Sequence, residues 1–168
     1  AEALNRYAAR HHRECSGGRE RLEITYQTVS SVTDPAAEVE VLTEQLRAHM
    51  ESHQGAERAS RMCLSGPHKD DLVITIDGRE AKSYSSQGQT RTAALALKLA
   101  EREIYQNATG EYPVLLLDDV LSELDPRRQE FVLNRIAGGQ VFITCCEDDR
   151  LPVLLGGKVF HVKQGAIG

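Results

Sequence analysis

Two adjacent carboxylates, Asp118 and Asp119, are the residues of this sequence best suited to chemistry. They directly follow the apolar run Val114–Leu117, which is typical of a strand buried in a parallel sheet, and ligands of open α/β sheets bind at the carboxyl ends of such strands. One acid can hold Mg²⁺, and the next can orient or deprotonate an attacking water. We predict that Asp118 binds the metal and Asp119 acts on the water. Two isolated acids more often simply end a strand in solvent, so the prediction depends on neighbouring motifs.

A second candidate site is the motif Ser86-Gln-Gly-Gln89, which opens a long helical pattern. Ser86 and Gln89 have the spacing of a capping box, in which each side chain bonds to the backbone amide of the other residue. The first turn of such a helix presents free N–H groups and the positive end of the helix dipole, which favour a phosphate. Gly88 would let that phosphate approach closely. Many helices with this cap bind no ligand, so the motif alone is weak evidence.

A third motif, Ser122-Glu-Leu-Asp125, follows the two acids, and Pro126 comes directly after it. Asp is a preferred N-cap, and Pro is favoured at the first helical position. We therefore predict a helix that begins at Pro126 and is capped by Asp125.

The order of these motifs resembles that of ABC-type ATPases: a Ser-Gly-Gln helix start, an apolar strand ending in two acids, and then Ser-x-x-Asp. Within that superfamily the chain is most similar to the RecF family of recombination mediators, because it also contains Gly66-Pro-His-Lys-Asp-Asp-Leu72 and Leu116-Leu-Asp-Asp-Val-Leu-Ser-Glu-Leu-Asp125. The resemblance covers about Met62 to the C-terminus and is looser before it. Thr90 departs from the family, which commonly has glutamine there.

The resemblance also implies how the candidate residues would act. In this family the signature turn, which corresponds to Ser86–Gln89 here, closes over the ATP held by the partner subunit. The loop after the two acids touches the partner near the same ATP. The segment Thr144-Cys-Cys-Glu147 stands where transporter ATPases have a histidine that contacts the γ-phosphate. We expect a weaker contact from Thr144 or Cys145, and therefore slow hydrolysis, with ATP timing dimer closure. Besides Asp118 and Asp119, the residues expected to contact ATP are Ser86, Gln87, Gly88, Gln89, Ser122, Asp125 and Thr144.

One element that hydrolysis requires has no match in the sequence. A phosphate loop of the form G-x-x-x-x-G-K-[ST] would supply backbone amides and a lysine for the β and γ phosphates. Gly157-Lys158 is the nearest approximation, but Val159 follows it and Pro152 occupies the place of the first glycine. We therefore predict a C-terminal fragment of a longer protein, half of a slow ATPase that is inactive alone.

The motifs predict an α/β fold. Residues 61–168 would form the C-terminal half of an ABC-type ATPase head, a P-loop NTPase-like sheet with flanking helices. By resemblance, residues 1–60 would form the C-terminal part of a mainly helical arm lobe. Strands of the head are predicted at Leu72–Ile76, Val141–Thr144 and Val159–Val162. The helix behind the signature motif should face a core through residues at helical spacing, namely Ala93, Leu97, Ala100 and Ile104.

Patterns in the first region predict a helix over residues 1–14 and an alternating strand over Leu22–Val29. Asp34, followed by Pro35, predicts the start of a second helix. An apolar stripe on that helix is expected to face a core, and its members are Val39, Leu42, Leu46 and Met50.

Composition sets outer bounds on function. The formal net charge of −5 over 168 residues argues mildly against a self-sufficient DNA-binding surface, since Lys and Arg dominate affinity for nucleic acid. The cysteines lack C-x-x-C spacing, which favours a reduced, cytoplasmic protein without structural zinc. No apolar run approaches membrane-spanning length, so no membrane partner is expected. The four cysteines are Cys15, Cys63, Cys145 and Cys146.

By resemblance, the whole protein would be a mediator of DNA replication, repair and recombination that takes part in the SOS response. It would bind ATP and Mg²⁺, dimerise with ATP, clamp DNA at single-strand gaps and junctions with duplex, and assist loading of the recombinase RecA together with RecR and RecO. One alternative is the ATPase subunit of an ABC transporter, although the missing switch histidine and Gln87, where a glycine is usual, count against it. Another is a protein-interaction module that uses no nucleotide, against which both acids count.

Overall fold

The computed structural model describes residues 1–121, 124–146 and 157–167. Helices in these ranges are α1 (Glu2–Cys15), α2 (Val39–Ser60), the short α3 (Ala81–Tyr84), α4 (Gln87–Thr109) and α5 (Pro126–Arg135), with a 3-10 turn at Pro67–Lys69. Strands are β1 (Leu22–Gln27), β2 (Asp71–Ile76), β3 (Arg79–Glu80), β4 (Leu115–Asp118), β5 (Val141–Thr144), β6 (Val162–Lys163) and β7 (Ala166–Ile167). The predicted α/β fold is confirmed. Across the described ranges, no helix has the length and apolar character needed to cross a membrane.

An antiparallel sheet of order β1-β2-β3 forms one half of the fold. Its register sets Leu22 opposite Ile76. Successive side chains of a strand point to opposite faces, and Leu22 and Ile24 of β1 are buried on the face that meets α1 and α4. The buried cluster on that side consists of Ala8, Leu22, Ile24, Ile76, Ala93 and Ala100.

Two elements that precede residue 60 contact elements that follow it. β1 pairs with β2 along its whole length, and α1 packs along α4. Ile24 also uses its backbone amide to bond the Asn5 carboxamide oxygen of α1, at 2.8 Å. The predicted division into residues 1–60 and 61–168 stays a prediction, and α1 and β1 are attached directly to the second of these regions.

Helix α4 begins and ends at the residues that its local sequence favours. Ser86 is its N-cap, and Gly110 ends it in the left-handed conformation, with φ +80° and its N–H donated to the Gln106 carbonyl at 2.8 Å. Of the residues predicted to face a core, Ala93 and Ala100 are buried, and Leu97 and Ile104 are half-buried.

The strand that carries the two acids pairs with β5 in parallel, with Leu117 beside Ile143. Leu115 and Leu117 are buried in a second core formed with α4 and α5. Leu116 and Phe142, on the opposite face, are 70% and 51% exposed. The apolar run predicts a buried strand, but among the described residues only one face of the pair is buried, because helices cover that face alone. The core consists of Leu95, Leu99, Leu115, Leu117, Leu121, Leu124, Val132 and Ile136.

The second helix of the first region differs from its prediction. Asp34 does not cap it but closes a turn, since its carboxylate accepts the Ala36 N–H at 2.9 Å and its carbonyl the Ala37 N–H at 3.1 Å. The helix α2 begins later, at Val39. Its apolar stripe is not a core face, because α2 makes only sparse contacts with the other described elements. Val39 and Met50 are exposed, Leu42 and Leu46 are half-buried, and the buried residue of this helix is His49.

The last predicted strand is displaced. Residues 159–161 are not in a strand, and Val162–Lys163 instead forms a short antiparallel hairpin with Ala166–Ile167. The turn between them, Gln164-Gly165, has positive φ at both residues (+50° and +79°). Two-residue hairpin turns favour this geometry because it matches the twist of the paired strands.

Candidate nucleotide-contacting site

The two acids and Thr144 meet at the carboxyl end of the parallel pair. Asp118 lies beside Thr144 in the register of β4 and β5. The Thr144 hydroxyl donates a hydrogen bond to one carboxylate oxygen of Asp118. Both side chains are exposed, so this carboxylate is accessible to a metal and its nucleotide.

Asp119 turns the chain away from the sheet. Its backbone has φ +53°, in the left-handed region that Asp tolerates better than most residues. Its N–H lies 3.0 Å from the Thr144 hydroxyl and 3.1 Å from the Thr144 carbonyl, both of which accept it. One threonine therefore holds the carboxylate of the first acid and the backbone of the second.

The signature turn contains the capping box that its spacing predicts. Ser86 Oγ accepts the Gln89 N–H at 3.3 Å, and Gln89 Oε1 accepts the Ser86 N–H at 2.9 Å. The box leaves the amides of Gln87 and Gly88 as first-turn donors for a ligand. Ser86 and Gln87 are exposed, and Gly88 and Gln89 are half-buried.

Asp125 caps α5, as predicted, and Pro126 occupies the first helical position. The Asp125 carboxylate accepts the Arg128 N–H at 3.0 Å and lies 3.3 Å from the guanidinium of the same residue. That guanidinium reaches the signature turn, since a Cβ added to Gly88 would lie 3.6 Å from Arg128 Nη1. Ser122 lies outside the described residues.

The described contacts thus assemble two groups. The first group consists of Asp118, Asp119 and Thr144. The second consists of the signature turn and Asp125, and Arg128 lies between them. Sequence reasoning missed Arg128 and also Glu20, whose carboxylate accepts a hydrogen bond from Gln89 Nε2 at 3.1 Å. No local pattern could have indicated Glu20, because it precedes Gln89 by 69 positions.

The donor set fits Mg²⁺ that is shared with a nucleotide. Among the described residues there is no cluster of three or more His, Cys, Asp or Glu that would hold a metal alone. Mg²⁺ is commonly bound by one or two carboxylates, waters and substrate phosphates. The exposed carboxylate of Asp118 suits that mode.

A capped helix, a parallel strand that ends in two acids, and a second capped helix define the C-terminal part of an ABC-type ATPase head.

No family model matches the chain. Curated relatives named DNA replication and repair protein RecF do match it: the one from Symbiobacterium thermophilum is 42% identical over 99% of this chain and 46% of its own length. The one from Synechococcus sp. is 41% identical over 99% of this chain and 44% of its own length.

Solved structures also match the chain. The recombination mediator protein RecF of the RecFOR pathway with ATPrS superposes at a TM-score of 0.80, with 37% identity over 99% of this chain and 43% of that one. The same protein with ATP gives 0.79 and 36%. The chain corresponds to the C-terminal portion of these RecF proteins. It spans a little under half the length of the curated relatives.

Proposed function

We propose that this chain supplies the signature and acid half of the ATPase head of a RecF-type DNA replication and repair protein. The observation that supports this most is the Asp118, Thr144 and Asp119 arrangement at the end of β4. An ordinary strand end has no need of a hydroxyl that holds one acid and the backbone of the next.

Each half of the site would act on a different ATP. Asp118 would hold Mg²⁺ with the phosphates of the ATP in its own subunit, and Asp119 would orient or deprotonate the attacking water. When bound, Mg²⁺ neutralises charge that develops on the transferred phosphoryl group. Thr144 would contact the γ-phosphate.

The signature turn would act in trans. Ser86 Oγ, the Gln87 and Gly88 amides and the Gln89 side chain would close over the γ-phosphate held by the partner subunit. Asp125 and Ser122 would touch the same partner and couple closure to hydrolysis.

At the level of the whole protein, we propose an ATP-bound homodimer that clamps DNA at single-strand gaps. It would work with RecR and RecO and assist loading of RecA. This proposal is supported by the names of the relatives, which refer to DNA replication and repair, and by the solved neighbours, which are described as recombination mediators of the RecFOR pathway.

The first test is Mg-ATP binding and turnover by the chain alone and by the complete head, meaning this chain joined to a half that carries the phosphate loop. We expect no turnover by the chain alone, since the groups that hold the β and γ phosphates are not in its sequence. In the complete head, Asp119→Asn should lower turnover by about 10²–10⁴-fold while ATP still binds. Turnover by the purified chain alone would contradict the proposal.

DNA binding separates this proposal from a transporter ATPase. The complete head should bind gapped DNA in the presence of ATP, with an affinity that falls steeply as salt rises, because phosphate contacts release counterions. A complete head that hydrolyses ATP but does not retain gapped DNA at low salt would favour the transporter. A head that binds no nucleotide although its halves associate would favour an interaction module.

A further inference from the structure

The signature turn is bonded to the carboxylate of Glu20, which lies far upstream of it in the sequence. The Gln89 side chain has two polar ends, and each has one partner: Oε1 accepts the Ser86 N–H at 2.9 Å, and Nε2 donates to Glu20 Oε1 at 3.1 Å. A carboxylate accepts hydrogen bonds and donates none. Glu20 therefore selects the carboxamide orientation that directs Oε1 towards Ser86.

Without this acceptor, the Gln89 carboxamide could rotate about its last torsion, which is broad and roughly two-fold. Rotation would bring an NH₂ group against the Ser86 N–H, and two donors cannot bond to each other. The capping box would then lose one of its two bonds, and the Ser86 backbone would lose its fixed position.

Glu20 lies in a mostly buried position. Its side chain is only 19% exposed, and its second oxygen lies 3.6 Å from Nε2 of His12, which is fully buried in α1; that distance is too long for a hydrogen bond. The turn that leads to Glu20 packs on α5, since a Cβ added to Gly17 would lie 3.3 Å from Arg127 Nη2. Gly17 also has φ +68°, which favours glycine. The carboxylate that bonds to Gln89 thus lies beside α1, mostly buried, and follows a turn that packs on α5.

We propose that Glu20 is a positioning residue for the signature turn, acting through Gln89 on Ser86 and on the free amides of Gln87 and Gly88. This inference rests on the proposed function, in which that turn closes over the ATP of the partner subunit. Glu20 does not contact nucleotide itself. Its effect is to keep the donors of the turn preorganised for the partner's phosphate.

The test uses the complete head with Glu20→Ala, Glu20→Gln and a matched control, Glu23→Ala. Glu23 is an exposed acid of β1 that pairs with Arg21 at 3.5 Å. We expect Glu20→Ala to lower kcat about tenfold, as one lost hydrogen bond at a charged acceptor implies. The Kd for Mg-ATP should stay within about twofold, because the subunit's own phosphate loop binds it. Glu20→Gln keeps an acceptor and should restore most of the turnover, and Glu23→Ala should match wild type.

Mixed dimers show whether Glu20 acts in trans. Neither Glu20→Ala nor Asp119→Asn should turn over ATP well alone. In a mixed dimer, the ATP site of the Glu20→Ala subunit faces the intact signature of the other subunit. An equal mixture should therefore recover about a quarter of wild-type turnover, because half of the dimers are mixed and each has one intact site.

Three results would overturn the inference. The first is a Glu20→Ala head with the same kcat as a wild-type head that hydrolyses ATP. That result would refute the role of Glu20 but leave the proposed function intact. Another is an equal mixture no more active than its parents, which would indicate a purely structural or cis effect. The third is a wild-type head without ATP turnover, which would remove the proposed function and this inference with it.

Discussion

A single hydroxyl organises the acids of this chain. Thr144 Oγ1 donates to Asp118 and accepts from the backbone of Asp119. The resemblance to ABC-type ATPases predicts a contact between Thr144 and the γ-phosphate because of its position after a strand, and that contact stays a prediction. The structure adds a role in holding the two acids that the residue type alone does not indicate, since a threonine at the end of a strand is common.

We expect Thr144→Val to lower the kcat of the complete head about tenfold, because it removes both hydrogen bonds and leaves a charged acceptor without its donor. Thr144→Ser is the matched control, since it keeps the hydroxyl and should retain most of the activity. Steady-state Mg-ATP turnover, with nucleotide affinity measured separately, checks this. Equal turnover by the Val and Ser variants would show that the hydroxyl has no role in the reaction.

At the scale of elements, β4 contributes to stability through one of its faces. Leu117 is 4% exposed and packs in the core with α4 and α5, whereas its neighbour Leu116 is 70% exposed on the opposite face. The two residues have the same type and lie next to each other in the same strand. Only their environments differ, so they form a natural pair for measuring what the core contributes.

Leu117→Ala should lower the free energy of unfolding by about 2–5 kcal/mol, through lost apolar burial and the cavity that remains. Leu116→Ala should change it by less than about 0.5 kcal/mol in this chain, as surface substitutions usually do. Urea denaturation of both variants at one pH measures the difference. Similar losses for both leucines would mean that the exposed face of β4 is covered in solution.

At the scale of the whole molecule, α1 connects the antiparallel half of the fold to α4 and carries two adjacent buried histidines. Burial lowers the pKa of both His11 and His12 below the ordinary 6.5. Glu103 partly offsets this at His11, whose Nε2 lies 3.0 Å from its carboxylate. Both imidazoles therefore favour the neutral form in the folded chain.

This environment predicts a pH dependence of stability. As the pH falls below about 6.5, the unfolded chain binds protons at these histidines before the folded chain does. The stabilisation is thus present above the unfolded pKa and is lost as the pH falls towards the lowered folded values. We expect a lower urea midpoint at pH 5.5 than at pH 7.5.

The matched variants are His12→Gln and His161→Gln. The first replaces a fully buried imidazole and should reduce the drop in midpoint between the two pH values. The second replaces an exposed histidine and should leave the drop unchanged. A midpoint that does not change with pH in the wild-type chain would disprove the prediction.

Local chemistry made much of the chain predictable from its sequence. The box of Ser86 and Gln89 and the Asp125 cap before Pro126 formed as predicted, because a cap depends on residues within one turn of each other. Strand β5 and helix α1 also lie where their patterns indicated. The prediction for α2 was wrong at its start, because Asp34 can satisfy a turn as readily as a helix.

The sequence by itself determined the family, the caps and the order of the motifs, since each depends on short-range chemistry or on motif wording. Only the tertiary structure determined which distant residues form hydrogen bonds with the motifs. The Thr144 bonds to the two acids, the Glu20 bond to Gln89 and the exposure of Leu116 all depend on elements that are distant in sequence and meet only on folding. Periodicity shows that a face is apolar, but only packing shows whether another element covers it.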